Sequence, residues 1–227
     1  MTRAIRRPAD RGAESDPRVL SLVQSGAADD LLRTTARRRY ATILADPPWR
    51  FANRTGKVAP EHRRLSRYDT MSTDEIAALP IGEIAAPRSH CYLWVPNALV
   101  PDGLRVLAGW GFTYKAMFVW HKVRKDGGPD GRGVGFYFRN VTEPVLFGVR
   151  GGLRTLDAGR SQVNFLATRK REHSRKPDEL YPIIEACSPG PRLELFARYP
   201  RDGWTAWGNE AAPDVVPRGR PYKGYGA

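Results

Sequence analysis

Short apolar runs that end on proline or glycine alternate along this chain with stretches whose apolar residues recur every three or four positions. Thr42 to Ala45 is strand-length and must stop by Pro47, which has no ladder donor. His90 to Val95 is a second such run, closed by Pro96; Tyr114 to Lys122, Thr142 to Val149, Val163 to Ala167 and Arg192 to Ala197 continue the series, with Thr205 to Trp207 as a further candidate. Between them, Ser72-x-x-Glu75 spells a capping box opening a short helix that Pro80 closes. Asn97 is placed to cap a helix carrying Leu99, Leu104, Val106 and Leu107 up to Gly109. A third helix follows Lys176-Pro177-Asp178-Glu179, with Leu180, Ile183, Ile184 and Cys187 as its apolar stripe and Ser188-Pro189-Gly190 as its stop. Strands alternating with helices predict an α/β domain, a mostly parallel sheet with helices on both faces.

The first run delivers Asp46-Pro47-Pro48-Trp49 to the carboxyl end of its strand, the edge at which open α/β sheets bind ligands. A nucleobase amine is a poor nucleophile because its lone pair is delocalised into the ring. Two acceptors on its two N–H bonds would draw that pair out of conjugation. The Asp46 carboxylate and the Pro47 carbonyl supply two, preorganised because proline fixes φ on both sides of that carbonyl, and Trp49 adds a flat face for a base. An ordinary Pro-Pro turn with a capping aspartate would read the same way, so the tetrapeptide needs support from the rest of the chain.

Asp46-Pro47-Pro48-Trp49 resembles the catalytic motif of the MT-A70 family of S-adenosylmethionine-dependent adenine-N6 methyltransferases. Tyr68 through Ile76, Leu93-Trp94-Val95, Val119-Trp120-His121-Lys122, the strand opening at Glu143, His173 to Glu179, and Leu193 to Arg198 are similar to segments of that family in the same order, over about residues 40–210. The resemblance implies a Rossmann-like methyltransferase fold and a catalytic set of Asp46, Pro47, Pro48 and Trp49. It implies S-adenosylmethionine as cofactor, with Asp46 beside it, Lys176 against its carboxylate, and Glu194, Arg198, Asn209 and Glu210 around its ribose and adenine. Asp29 or Asp30 would be the acidic residue that precedes the catalytic strand. Two departures stand out: Tyr199-Pro200-Arg201-Asp202 lacks a His-Asn pair found in some members, and Asn209-Glu210 replaces Asn-Gln.

The chain has 227 residues and a formal net charge of +13, enough for one α/β domain and suited to a polyanion. Residues 50–69, 122–139 and 169–176 carry +4, +3 and +4, so three segments beside strands hold most of the excess. Arg50, Arg54 and Tyr68 in the first, and Lys122, Arg124 and Lys125 in the second, are the expected nucleic-acid contacts; a solvated basic surface is the plainer alternative. Cys91 and Cys187 read as buried free thiols, and the four histidines show no metal-ligand spacing, so no metal is expected. No run is long and apolar enough to span a bilayer, so a cytoplasmic protein without membrane contact is expected. Residues 1–28 are expected to be loosely ordered and basic, 29–210 to form the methyltransferase domain, and 211–227 a Pro- and Gly-rich tail. DNA is the expected polymer by likeness to compact bacterial and phage members. RNA, a cytosine-N4 enzyme and a non-catalytic nucleic-acid-binding subunit are the alternatives, and a homo- or heterodimer is left open.

Overall fold

The computed structural model describes residues 17–50, 70–131, 137–171 and 175–208. Helix α1 (Pro17–Thr34) leads into strand β1 (Tyr40–Ala45). Two short helices, α2 (Thr73–Ala77) and α3 (Ile81–Ile84), precede β2 (Ala85–Trp94). Helix α4 (Val100–Gly109) connects to β3 (Thr113–Val123), β4 (Thr142–Arg150) and β5 (Phe165–Arg169), and α5 (Leu180–Cys187) is followed by β6 (Arg192–Leu195) and β7 (Trp204–Trp207).

The strands form one sheet in the order β5-β3-β4-β2-β1-β6-β7. β1 lies inside the sheet and pairs in parallel with β2 and β6; β6–β7 and β3–β5 are parallel too. β4 alone runs the other way, pairing antiparallel with both β2 and β3. The sheet is therefore mostly parallel, with one reversed strand inside it, a fold consistent with an α/β methyltransferase.

Burial follows the pleat. Every residue of β1 is buried, because both faces of the sheet are covered. Ile43, Leu93 and Leu193 point to a core shared with Leu31 of α1, Ile76 of α2 and Leu107 of α4. Leu44, Tyr92 and Trp94 point to the opposite core with Leu180 and Ile184 of α5. Gly148 in β4 admits α4: a Cβ there would lie 2.9 Å from the Leu107 methyls. Cys91 and Cys187 are free and buried.

The Ser72–Glu75 capping box forms as expected, each partner bonding the other's backbone N–H. Asn97 does not cap α4. Its amide donates to the Thr142 carbonyl at 2.8 Å and ties the segment before the helix to the start of β4, while a single 3-10 turn (Asn97–Leu99) leads into α4. Helix α1 begins at Pro17, within the stretch expected to be loose, and packs Leu31 into the core. Among the described residues no helix is long and apolar enough to cross a membrane.

Candidate functional site

β1 and β6 end side by side, with Ala45 opposite Leu195 and Leu44 opposite Glu194. Adjacent parallel strands therefore bring Asp46 and Glu194 to one edge of the sheet. They line a cleft of about 550 Å³, open mouth included, with Trp94, Lys176, Pro177, Tyr181, Phe196 and Arg198 among its other walls. Phe196 turns the chain out of β6 at φ +61°, a left-handed conformation that a non-glycine residue holds only where its surroundings over-determine it.

The Asp-Pro-Pro-Trp turn is pinned at each step. The Trp49 N–H donates to the Pro47 carbonyl at 2.9 Å, the Met71 N–H to the Pro48 carbonyl at 2.8 Å, and the Arg50 N–H to the Met71 carbonyl at 2.9 Å. The Pro47 carbonyl is thereby fixed while keeping a second lone pair. Trp49 is 4% exposed, and its indole N–H donates to the Trp94 carbonyl at 3.0 Å, joining the end of β1's turn to the end of β2. It supports the turn from within the core and is not an open stacking face here.

A chain of alternating charges crosses the site. Lys176 Nζ lies 3.0 Å from Asp46 Oδ1 and 3.2 Å from Glu143 Oε2, and Glu143 Oε1 takes a short hydrogen bond from Lys122. Lys176 also sits over the Trp94 ring, 5.1 Å from its centroid, and Trp94 meets Trp120 edge to face. Burial alone would raise the Glu143 carboxyl, but Lys176 and Lys122 hold it down at about 2. Burial opposes the charge of Lys176, yet Asp46 and Glu143 together raise it above the ordinary lysine value. Lys122, expected as a nucleic-acid contact, is turned inward: the pleat of β3 puts it on the buried face with Phe118 and Trp120, and its charge meets Glu143.

Glu194 behaves differently. Burial pushes its carboxyl up to about 7, against a hydrogen bond from Tyr181 and the nearby charge of Arg201. Tyr181 donates to Oε1 at 2.7 Å, and Arg201 covers the Tyr181 ring at 3.6 Å. Asp178 binds Arg175 at 2.6 Å and Arg201 at 2.7 Å, clamping the segment before α5 to the loop after β6. That clamp forms one wall of the cleft.

Of the other expected site residues, Arg198 lines the cleft. Arg50 braces the Thr70 carbonyl at 2.8 Å and lies 3.5 Å from Glu75. Arg124 pairs with Asp126, and Lys125 is exposed beside it. Asp30 accepts from the Trp207 indole at 2.9 Å, joining α1 to β7. Arg54, Tyr68, Asn209 and Glu210 lie outside the described residues, as does the 211–227 tail. Sequence reasoning gave Glu143 no role. Its signal, a lone carboxylate opening an apolar strand, does not reveal a partner across the sheet.

A mostly parallel α/β sheet with this carboxylate-lined cleft at the carboxyl ends of β1 and β6 is consistent with an α/β methyltransferase fold. The chain belongs to the MT-A70 family, whose model matches residues 40–210. It is 27% identical over 204 residues to the type II methyltransferase M.MunI of Mycoplasma sp, covering 83% of this chain and 84% of that protein. It is 32% identical over 181 residues to a putative N(6)-adenosine-methyltransferase MT-A70-like protein of Medicago truncatula, covering 76% of this chain and 26% of the relative. It is 30% identical over 190 residues to the human N(6)-adenosine-methyltransferase catalytic subunit METTL3, covering 79% and 30%. The chain thus spans about a quarter to a third of these plant and human relatives.

Proposed function

We propose that this protein transfers a methyl group to the N6 amine of adenine in nucleic acid, with S-adenosylmethionine as donor and DNA as the first expectation. The observation that carries the reading is Asp46, held at the carboxyl end of β1 by Lys176 and next to Glu194 in one cleft. S-adenosylmethionine, when bound, supplies an activated methyl group.

The residues suit that ligand. A carboxylate acceptor suits ribose hydroxyls, and among the described residues Tyr181 occupies only the first oxygen of Glu194, which leaves the second for them. Lys176 spends two of its three donors on Asp46 and Glu143, which leaves one for a ligand carboxylate. Asp46 and the Pro47 carbonyl are the two acceptors for the adenine amine, both set before substrate arrives. Asp46, as an ionisable acceptor on the amine, is also a base for the proton that the amine must lose. Trp49, buried beneath them, positions the turn. The target base must be unpaired to reach them.

The M.MunI match, nearly coextensive with both chains, supports DNA. The relatives named as N(6)-adenosine methyltransferases support RNA as the second reading. Nucleoside mass spectrometry on single- and double-stranded DNA and RNA, after incubation with protein and S-adenosylmethionine, tests both. N6-methyladenine is expected in the DNA pool. Its appearance in RNA alone replaces the polymer, and its absence from all pools together with no cofactor-induced rise in melting temperature sinks the enzyme reading.

Glu194 makes cofactor binding pH-dependent. Ribose hydroxyls donate to the ionised carboxylate, but the free protein keeps its proton up to about pH 7. Below that pH, binding must expel the proton, so the affinity for S-adenosylmethionine should weaken by up to about tenfold per unit and level off above pH 7. Isothermal titration across pH 5.5–8.5 reads this directly, and Glu194→Gln should flatten the profile. A pH-independent wild type would remove Glu194 from the ribose.

A further inference from the structure

The segment leading into β4 carries two large aromatic residues that no other described residue covers. Tyr137 is 95% exposed and Phe138 is 84% exposed. Isolated exposed apolar side chains are ordinary, but two adjacent, almost fully exposed rings are not.

The root of this loop is built into the active-site edge. The Lys122 N–H donates to the Val141 carbonyl and the Asp130 N–H to the Lys122 carbonyl, each at 2.8 Å. Asp130 is buried, and its carboxylate lies 3.1 Å from Lys170. Lys122, through Glu143 and Lys176, is the far end of the charge chain that reaches Asp46. Arg139 closes the loop by donating to the Gly131 carbonyl at 3.1 Å. The acidic residues here are already neutralised, Asp126 by Arg124 and Asp130 by Lys170, which leaves Lys125 and Arg139 to give the outer surface a positive sign.

Exposed aromatic rings among cations are the composition that binds unpaired nucleotides: the rings stack on bases and the cations follow the phosphates. Resting on the methyltransferase reading above, we infer that Tyr137 and Phe138 form a stacking platform for unpaired bases flanking the target adenine, with Lys125 and Arg139 on the backbone. The need is chemical. Bringing one base to Asp46 deprives its neighbours of stacking, and the two rings replace part of what is lost.

The test is fluorescence anisotropy of a labelled 20-nucleotide single-stranded DNA, its RNA counterpart and the DNA duplex, across a salt series, with the full chain. Tyr137→Ala/Phe138→Ala should weaken single-strand binding by roughly tenfold or more. The slope of affinity against salt should stay the same, because that slope counts phosphate contacts. Tyr137→Phe/Phe138→Tyr should restore binding, and both variants should keep the wild-type rise in melting temperature with S-adenosylmethionine. Wild-type single-strand affinity in the double-alanine variant overturns the inference. So does a changed salt slope, or loss of self-association in sedimentation with binding retained, which would make the rings a contact between copies. A wild type that binds no single strand overturns it equally. Failure of the enzyme reading shows separately, as absence of methylated nucleoside with anisotropy intact.

Discussion

Asp46→Ala is expected to lower methyl transfer by at least about two to three orders of magnitude, the scale on which a single preorganised polar group contributes at a reacting centre. The carboxylate is one of two fixed acceptors available to the amine and the only ionisable one, so no neighbour substitutes for it. Lys176 keeps Glu143 as a partner at 3.2 Å, so its charge is not stranded and the fold should hold. Cofactor binding should persist, since Glu194 and Arg198 line the cleft independently of the turn. The informative pair of measurements is methylated nucleoside by mass spectrometry and the melting-temperature rise with S-adenosylmethionine. Asp46→Asn, which keeps shape and loses charge, should sit close to alanine in turnover. Activity within tenfold of wild type in both variants would place the amine elsewhere.

How far this site could be read from the sequence depended on whether its parts were local. The β1 strand and its terminal Asp46 were legible because apolar residues followed by two prolines leave the chain few choices. The α5 stripe was legible for the same reason: Leu180, Ile184 and Cys187 are buried where a helical period puts them. The reversal of β4 was not, since a period of two looks the same in either direction, and only the neighbours β2 and β3 decide it. Helix α1 escaped because Ser21, Gln24, Ser25 and Gly26 interrupt its apolar spacing. Trp49 shows the same limit on a single side chain. An indole after Pro-Pro reads as an available face, and only the Trp94 carbonyl, brought there by the parallel pairing of β1 and β2, makes it a buried brace. The resemblance named Lys176 as a cofactor contact, while the fold adds what no local pattern could: its two carboxylates come from different strands.

Glu143→Gln should be the most destabilising single change at the site. Glu143 stands between two ammonium groups in a mostly buried position, and its side chain is 28% exposed. Among the described residues, removing its charge leaves Lys122, 10% exposed, without a counter-ion and leaves Lys176 with Asp46 alone. Breaking such a pair costs about 3 kcal/mol, the low end for buried pairs because some solvent reaches the carboxylate. In a domain of this size that is a fall in Tm of roughly 6–12 °C. The acid limb gives an independent check. Glu143 is held at about 2 against an ordinary 4.5, so its stabilisation is complete above 4.5 and is lost as pH falls towards 2. Denaturant titrations should show this part of the acid loss in wild type and not in Glu143→Gln. Adding Lys122→Met to Glu143→Gln removes the stranded charge and should recover part of the stability, so the two changes should be non-additive in a double-mutant cycle. Turnover should not recover with it, because Lys176 still lacks the second carboxylate that fixes where it holds Asp46. Recovery of both would reduce the charge chain to a packing device; recovery of stability alone would make Glu143 the residue that positions Lys176 and, through it, the catalytic carboxylate.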